Sequence, residues 1–157
     1  MDRTRYKGAM YKKLLRLQGF LVSPFLLLLR ISWGWQFFQA GKGKLTNIDH
    51  VVGFFQTLGI PMPLLNAYLV GGIEMLGGLC LLVGFASRLA TVPLAVVMLV
   101  AYLTADRAAF FAFFSDSEAF VKAAPFPFLM TVLIVMLFGS GFFSVDRLIK
   151  KKFDLQP

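Results

Sequence analysis

Residues that redox and metal chemistry depend on are scarce in this chain: 157 residues hold one cysteine, Cys80, and one histidine, His50. A single cysteine excludes an internal disulfide, a CxxC dithiol and a zinc site built on cysteines. One histidine does not supply two axial ligands to a haem, and no second soft ligand stands at metal spacing beside it. The sequence shows no nucleophile–base pair, phosphate loop or dinucleotide fingerprint, and the run GGIEMLGG lies inside an apolar stretch, so it is no phosphate cradle. Neither a metal site nor a resident redox cofactor is encoded. Acidic residues are few as well: 8 Asp and Glu stand against 16 Lys and Arg, a net charge of +8.

What is abundant is apolar. The chain is 58% hydrophobic with a mean hydropathy of +0.74, whereas soluble domains are about 45–50% apolar. This composition belongs to an integral membrane protein. The basic residues cluster beside the apolar runs: Arg3, Arg5, Lys7, Lys12, Lys13 and Arg16 before the first, Arg147, Lys150, Lys151 and Lys152 after the last. Such clusters face anionic lipid at a cytoplasmic surface. No basic surface with interleaved aromatics stands outside the apolar runs, so nucleic acid is not an expected partner. The first run is too long for a signal peptide, carries Arg30 and is followed by three more runs.

The apolar pattern predicts four spans, at about 19–40, 63–86, 89–105 and 126–143. Gly41 and Gly43 are expected to end the first. The two termini and the turn Ser87–Arg88 hold most of the positive charge, and the opposite loops carry Lys42, Lys44, Arg107 and Lys122. Both termini are therefore expected in the cytoplasm, with loops 41–62 and 106–125 outside. The outer loops are expected to hold short interfacial helices, one over Asp49–Leu58 and one introduced by Ser115 and Glu118 at capping-box spacing. Ala108–Phe114 either lengthens the third span or lies along the interface, and Pro125 and Pro127 start the fourth. The tail Ser144–Phe153 reads as a basic amphipathic segment on the inner surface. The expected architecture is one all-α membrane domain over 1–157, a four-helix transmembrane bundle.

Two charges stand where a bilayer tolerates them least, Arg30 in the first span and Glu74 in the second. At roughly 1.5 Å per residue each lies about 16 Å from its span's start, near the middle of a ~30 Å hydrocarbon core. An ionisable side chain there costs at least about 2.5–3.5 kcal/mol and marks a functional site by default. Opposite charge at matching depth makes each the other's candidate partner. Ala67, Gly71, Glu74 and Gly78 share one helical face; Arg30, Trp33, Gly34, Phe37 and Gly41 share another. Two readings stand open. The faces pack two helices around an ion pair, or the glycines leave a slot in which Arg30 and Trp33 hold a ring and its carbonyl oxygens. A second cluster at the outer edge joins Tyr102, Asp106 and Arg107 to Lys44, Asp49 and His50. Asp106–Arg107 is either an exposed ion pair, worth roughly 0–1 kcal/mol, or part of a docking surface; His50 is a candidate for proton exchange at a quinone headgroup.

The segments LLRISWGWQFFQAGKGKL, LGIPMP and GGIEMLGGLCLLVGFASRLA, with AYLTADRAAFFAFFSD and LFGSGFFSVDRLI after them, resemble the DoxX family of small four-helix membrane proteins over roughly residues 25–150. The matching positions include Arg30, Gly34, Gly41, Lys44, Gly59, Pro61, Glu74, Gly77, Gly78, Gly84 and Arg88. That family takes its name from a subunit associated with a terminal quinol oxidase and with thiosulfate:quinone oxidoreductase, and other members are linked to oxidative-stress defence through partners. The resemblance implies a multi-pass protein of the bacterial inner membrane, a quinone- or quinol-linked oxidoreductase component with a redox partner. On this reading Glu74 and Arg30 are catalytic; Arg30, Trp33, Gly34, Gly71, Glu74 and Gly78 bind the quinone; Lys44, His50, Asp106 and Arg107 dock the partner. The alternative is a non-catalytic accessory subunit of a larger respiratory or photosynthetic complex, with Arg30 and Glu74 fixing helix register. A transporter fits less well, since the four short spans contain no broken paired helices.

Overall fold

Apolar runs punctuated by glycine and proline produce an all-helical chain. The structure, a computed structural model, describes residues 3–141 and 143–152, with side chains from Leu21 onward apart from Leu148 and Lys150. Eight helices follow in order among the described residues: α1 (Arg3–Thr46), α2 (Ile48–Thr57), α3 (Pro63–Val83), α4 (Ser87–Thr104), α5 (Arg107–Phe111), α6 (Ser117–Lys122), α7 (Pro125–Phe138) and α8 (Val145–Lys152). By length and composition, Leu21–Thr46, Pro63–Val83 and Ser87–Thr104 are able to cross a membrane. The expected fourth run is shorter than 126–143. Gly139 and Gly141 take φ of +78° and +72° and end α7, which at 14 residues is about 21 Å long.

The long helices form a ring: α1 lies on α3, α3 on α4, α4 on α7, and α7 returns to α1. The α1–α3 pair is the most extensive, and its glycines are the reason. A Cβ on Gly41 would stand 2.3 Å from the Met75 nitrogen, and one on Gly78 2.5 Å from the Phe38 nitrogen. Backbones this close gain dispersion contact that lipid would not supply, the small-residue packing of membrane helices. On the far side, Phe37 and Trp33 meet Phe128 edge to face, with ring centroids 4.7 and 5.1 Å apart. Leu81, Leu94, Met98, Tyr102, Val132 and Val135 complete the core, while Leu28, Leu64, Leu76 and Leu89 point outward, as a lipid-facing surface requires.

Two local expectations change, and one open alternative is decided. Gly41 and Gly43 do not end α1, which continues to Thr46. Gly41 is packed helix against α3, and the stop comes at Asn47, whose Nδ2 donates to the Gly43 carbonyl at 3.0 Å. Helix α6 (Ser117–Lys122) is capped by Asp116 rather than by Ser115: the Asp116 carboxylate accepts from the Ala119 N–H at 3.0 Å. Ala108–Phe114 does not extend α4, since a break at Ala105 and Asp106 separates α4 from α5. The tail forms α8, anchored by Asp146; Phe153 lies outside the described residues, as do the side chains of the basic N-terminal cluster.

Candidate functional site

Because α1 runs three residues past Gly43, it carries Lys44 alongside α3. Lys44 Nζ sits 2.5 Å from Glu74 Oε2. The two helices run antiparallel, so a residue near the end of α1 meets the middle of α3. Glu74 is thus a paired acid inside a membrane-length helix, the usual condition of such groups. Its partner is Lys44, which the sequence pattern assigned to the outer edge, and not Arg30.

Arg30 lies at the other end of α3. A Cβ on Gly84, the residue that caps α3, would stand 2.8 Å from its Nη1. Glu74 and Gly84 are separated along the helix by about 15 Å. The guanidinium donates to the Ser140 carbonyl and, at 2.8 Å, to the Phe143 carbonyl. It therefore fastens the segment after α7 to α1. The expected matching depth failed because α1 continues as helix to Thr46 and lies antiparallel to α3, which brings Lys44 beside Glu74 and Arg30 beside Gly84.

The side of Glu74 turned away from the α1–α3 seam faces a cavity of about 660 Å³. Its walls come from α1, α2, α3, α4 and the start of α7: Ala40, Phe54, Phe55, Val70, Ile73, Val97, Met98, Ala101, Pro93 and Phe128. Lys44, Glu74, Asn66, Thr104 and Asp106 are its polar lining. A large apolar cavity with a few convergent polar groups is the common form of a small-molecule site. Leu69, Val96, Val100 and Phe54 line it yet are 50%, 55%, 47% and 48% exposed, so it opens sideways to the surface that lipid would cover.

The remaining expected residues divide. Gly34, Gly71 and Gly78 are buried in helix packing: a Cβ on Gly71 would meet Leu45 at 2.8 Å and one on Gly34 the Gly78 carbonyl at 3.0 Å. The seam between α1 and α3 therefore holds no slot at these glycines, and the open space lies beside it, toward α2, α4 and α7. Trp33 packs on Phe128, itself a cavity wall. Asp106 lines the cavity mouth, and Arg107 lies over the Phe111 ring at 5.7 Å instead of pairing with Asp106. His50 is exposed on α2. Tyr102 is fully buried, and its hydroxyl donates to the Phe120 carbonyl at 2.8 Å. Val97, Ala101 and Phe128 gave no signal in the sequence, because apolar residues on α4 and α7 read equally well as lipid-facing.

The DoxX family model matches residues 25–107, the stretch that holds Arg30, Lys44 and Glu74 and four of the five helices around the cavity. The chain belongs to the DoxX family. Among its relatives, this DoxX protein is 30% identical over 127 residues to a Bacillus subtilis protein named "Putative oxidoreductase CatD", covering 80% of this chain and 87% of that one. It is 30% identical over 131 residues to the Escherichia coli "Inner membrane protein YqjF", covering 81% and 93%. A Mycobacterium tuberculosis protein named as an uncharacterized membrane protein is 30% identical over 149 residues, 90% of each chain. No solved structure matches this DoxX chain. Family, apolar helices and relatives together make it a membrane protein.

Proposed function

We propose that this DoxX protein binds a quinone or quinol in the cavity beside the Lys44–Glu74 pair and works with a redox partner in the bacterial inner membrane. The observation that carries the reading is the cavity itself: apolar walls, a buried ion pair in one of them, and a lateral opening. An isoprenoid quinone has a flat polar head and a long apolar tail, and the side opening between α3 and α4 suits entry from the bilayer. Lys44 Nζ donates to a carbonyl oxygen of the ring, and Glu74 exchanges a proton there. Reduction of a quinone to a quinol consumes two electrons and two protons; the partner delivers the electrons, and the Glu74 carboxyl relays protons. The word oxidoreductase in the Bacillus relative's name agrees with this chemistry.

In this reading α7 completes a fourth crossing with α1, α3 and α4, both termini lie in the cytoplasm, and α2, α5 and α6 rest at the outer interface. Asp106, Arg107 and His50 are on that outer side and offer the partner a charged edge. Arg30 has no role at the quinone, because it lines no part of the cavity.

The test uses protein in lipid nanodiscs. Trp33 touches Phe128, so a bound quinone is expected to quench tryptophan fluorescence saturably. Ala101→Phe, which fills the cavity without adding a tryptophan, and Glu74→Gln are expected to weaken binding at least about tenfold, the equivalent of 1.4 kcal/mol. Unchanged quenching in both variants overturns the site. Recovery of quinone-free protein only within a larger complex, whose activity survives its removal, makes the chain an accessory subunit instead.

A further inference from the structure

At the opposite end of the bundle from the cavity mouth, a second hollow of about 420 Å³ lies between α1, the last turn of α3 and the start of α8. Leu27, Arg30, Leu82, Val83, Phe143 and Ser144 line it. Val83 and Phe143 are 53% and 61% exposed, so the hollow opens sideways toward the bilayer. Val83 is the last residue of the membrane-length stretch of α3, which puts the hollow at the level of lipid headgroups.

We infer that this hollow holds the phosphate of an anionic phospholipid, with an acyl chain lying along Leu27, Leu82 and Val83. Three independent observations support this. The Arg30 guanidinium is 1% exposed, and its hydrogen bonds go to two neutral carbonyls. Carbonyls satisfy N–H groups but carry no countercharge; Asp146 acts on the guanidinium through space without forming an ion pair with it, and a buried charge with no direct partner is costly. Arg30 Nε is buried with no hydrogen-bond partner among the described residues. The Nε–H is thus a guanidinium donor without a protein acceptor, fit for a charge-assisted bond to a phosphate oxygen.

Charge around the hollow is the third observation. Asp146 is the acidic residue here among the described ones, and both its oxygens are engaged: Oδ1 accepts from the Ala86 N–H at 2.6 Å and Oδ2 from the Ser87 N–H at 3.1 Å. Arg88, Arg147, Lys151 and Lys152 are exposed at the same end. Helix α8, with Val145 and Ile149 on one face and Arg147 and Lys151 on the other, is a basic amphipathic helix of the kind that lies on anionic leaflets. Apolar walls for a chain, a buried cation for a head and a basic rim describe a phospholipid better than a soluble anion.

The experiment follows thermal unfolding of the full chain in neutral detergent, with phosphatidylglycerol, phosphatidylcholine or inorganic phosphate added, and native mass spectrometry of retained lipid. Phosphatidylglycerol is expected to raise the midpoint by about 3–5 °C and to remain bound at one molecule per chain. Phosphatidylcholine and phosphate are expected to do neither. Val83→Trp closes the mouth while leaving the Arg30 hydrogen bonds in place, and is expected to remove the shift with the lipid-free midpoint unchanged. Lys151→Gln with Lys152→Gln is expected to keep it. Equal stabilisation by phosphatidylcholine overturns the proposal, and equal stabilisation by inorganic phosphate replaces the lipid by a free anion. Persistence of the shift in Val83→Trp, with loss in the lysine variant, assigns the lipid to the α8 surface and overturns the hollow.

Discussion

Lys44 and Glu74, 30 positions apart, meet at 2.5 Å between α1 and α3, with 29% of the Lys44 side chain exposed and 3% of Glu74. The pair is unequal. If Glu74 is removed, Lys44 is able to turn its ammonium toward water; if Lys44 is removed, the carboxylate has no such route.

That inequality sets the first prediction. Lys44→Met is expected to cost about 2–4 kcal/mol and Glu74→Leu about 1 kcal/mol, because breaking a buried pair leaves the buried partner uncompensated. The double variant is expected close to Glu74→Leu, a coupling of about 2–4 kcal/mol. Unfolding by denaturing detergent measures all three. Additive losses would show that the pair carries no energy.

Glycines on one helix are expected to differ in sign. Gly78→Ala pushes a Cβ into the Phe38 backbone at 2.5 Å, and overpacking of this kind costs about 1–3 kcal/mol. Gly72 has nothing within 4 Å of an added Cβ, so Gly72→Ala is expected to stabilise α3 by about 0.5–1 kcal/mol through backbone entropy. The same unfolding assay compares them, and equal effects would mean that the α1–α3 seam is looser than described.

Asp146 holds the α3–α4 turn from outside. Ala86 adopts φ of +45°, a conformation unusual for a residue with a Cβ, and Asp146 accepts from its N–H and from that of Ser87. Asp146→Ala is expected to cost about 1–2 kcal/mol, as the loss of a helix cap does, and to free α8. Trypsin cleavage at Arg147, Lys151 and Lys152 is expected to accelerate; an unchanged cleavage rate would detach α8 from this role.

Tyr102 ties α4 to the outer segment through its hydrogen bond to the Phe120 carbonyl, with its ring stacked on Phe120 at 5.2 Å between centroids. Tyr102→Phe keeps the stack and leaves a buried carbonyl unpaired, at a cost of about 1–3 kcal/mol. Faster hydrogen exchange confined to residues 107–122 is the expected signature.

The helices, their order and their buried faces were determined by the sequence alone. Ala67, Gly71, Glu74 and Gly78 are all buried on α3, and Arg30, Gly34, Phe37 and Gly41 on α1, because a 3.6-residue period fixes which side chains share a face. The family was legible too, in an ordered set of Arg, Gly, Lys and Glu positions. What the tertiary structure decided was how far one helix slides past another. Hydropathy marks where a span is apolar but not where its helix stops, and glycine in a helix reads either as an end or as a seam. The seam won at Gly41, since its packing against Gly71 and Met75 keeps α1 helical through Lys44. That shift exchanged Arg30 for Lys44 as the partner of Glu74 and left Arg30 holding the chain after α7. The cavity was invisible for a related reason: it is the space between side chains of five helices, and no single segment carries its pattern.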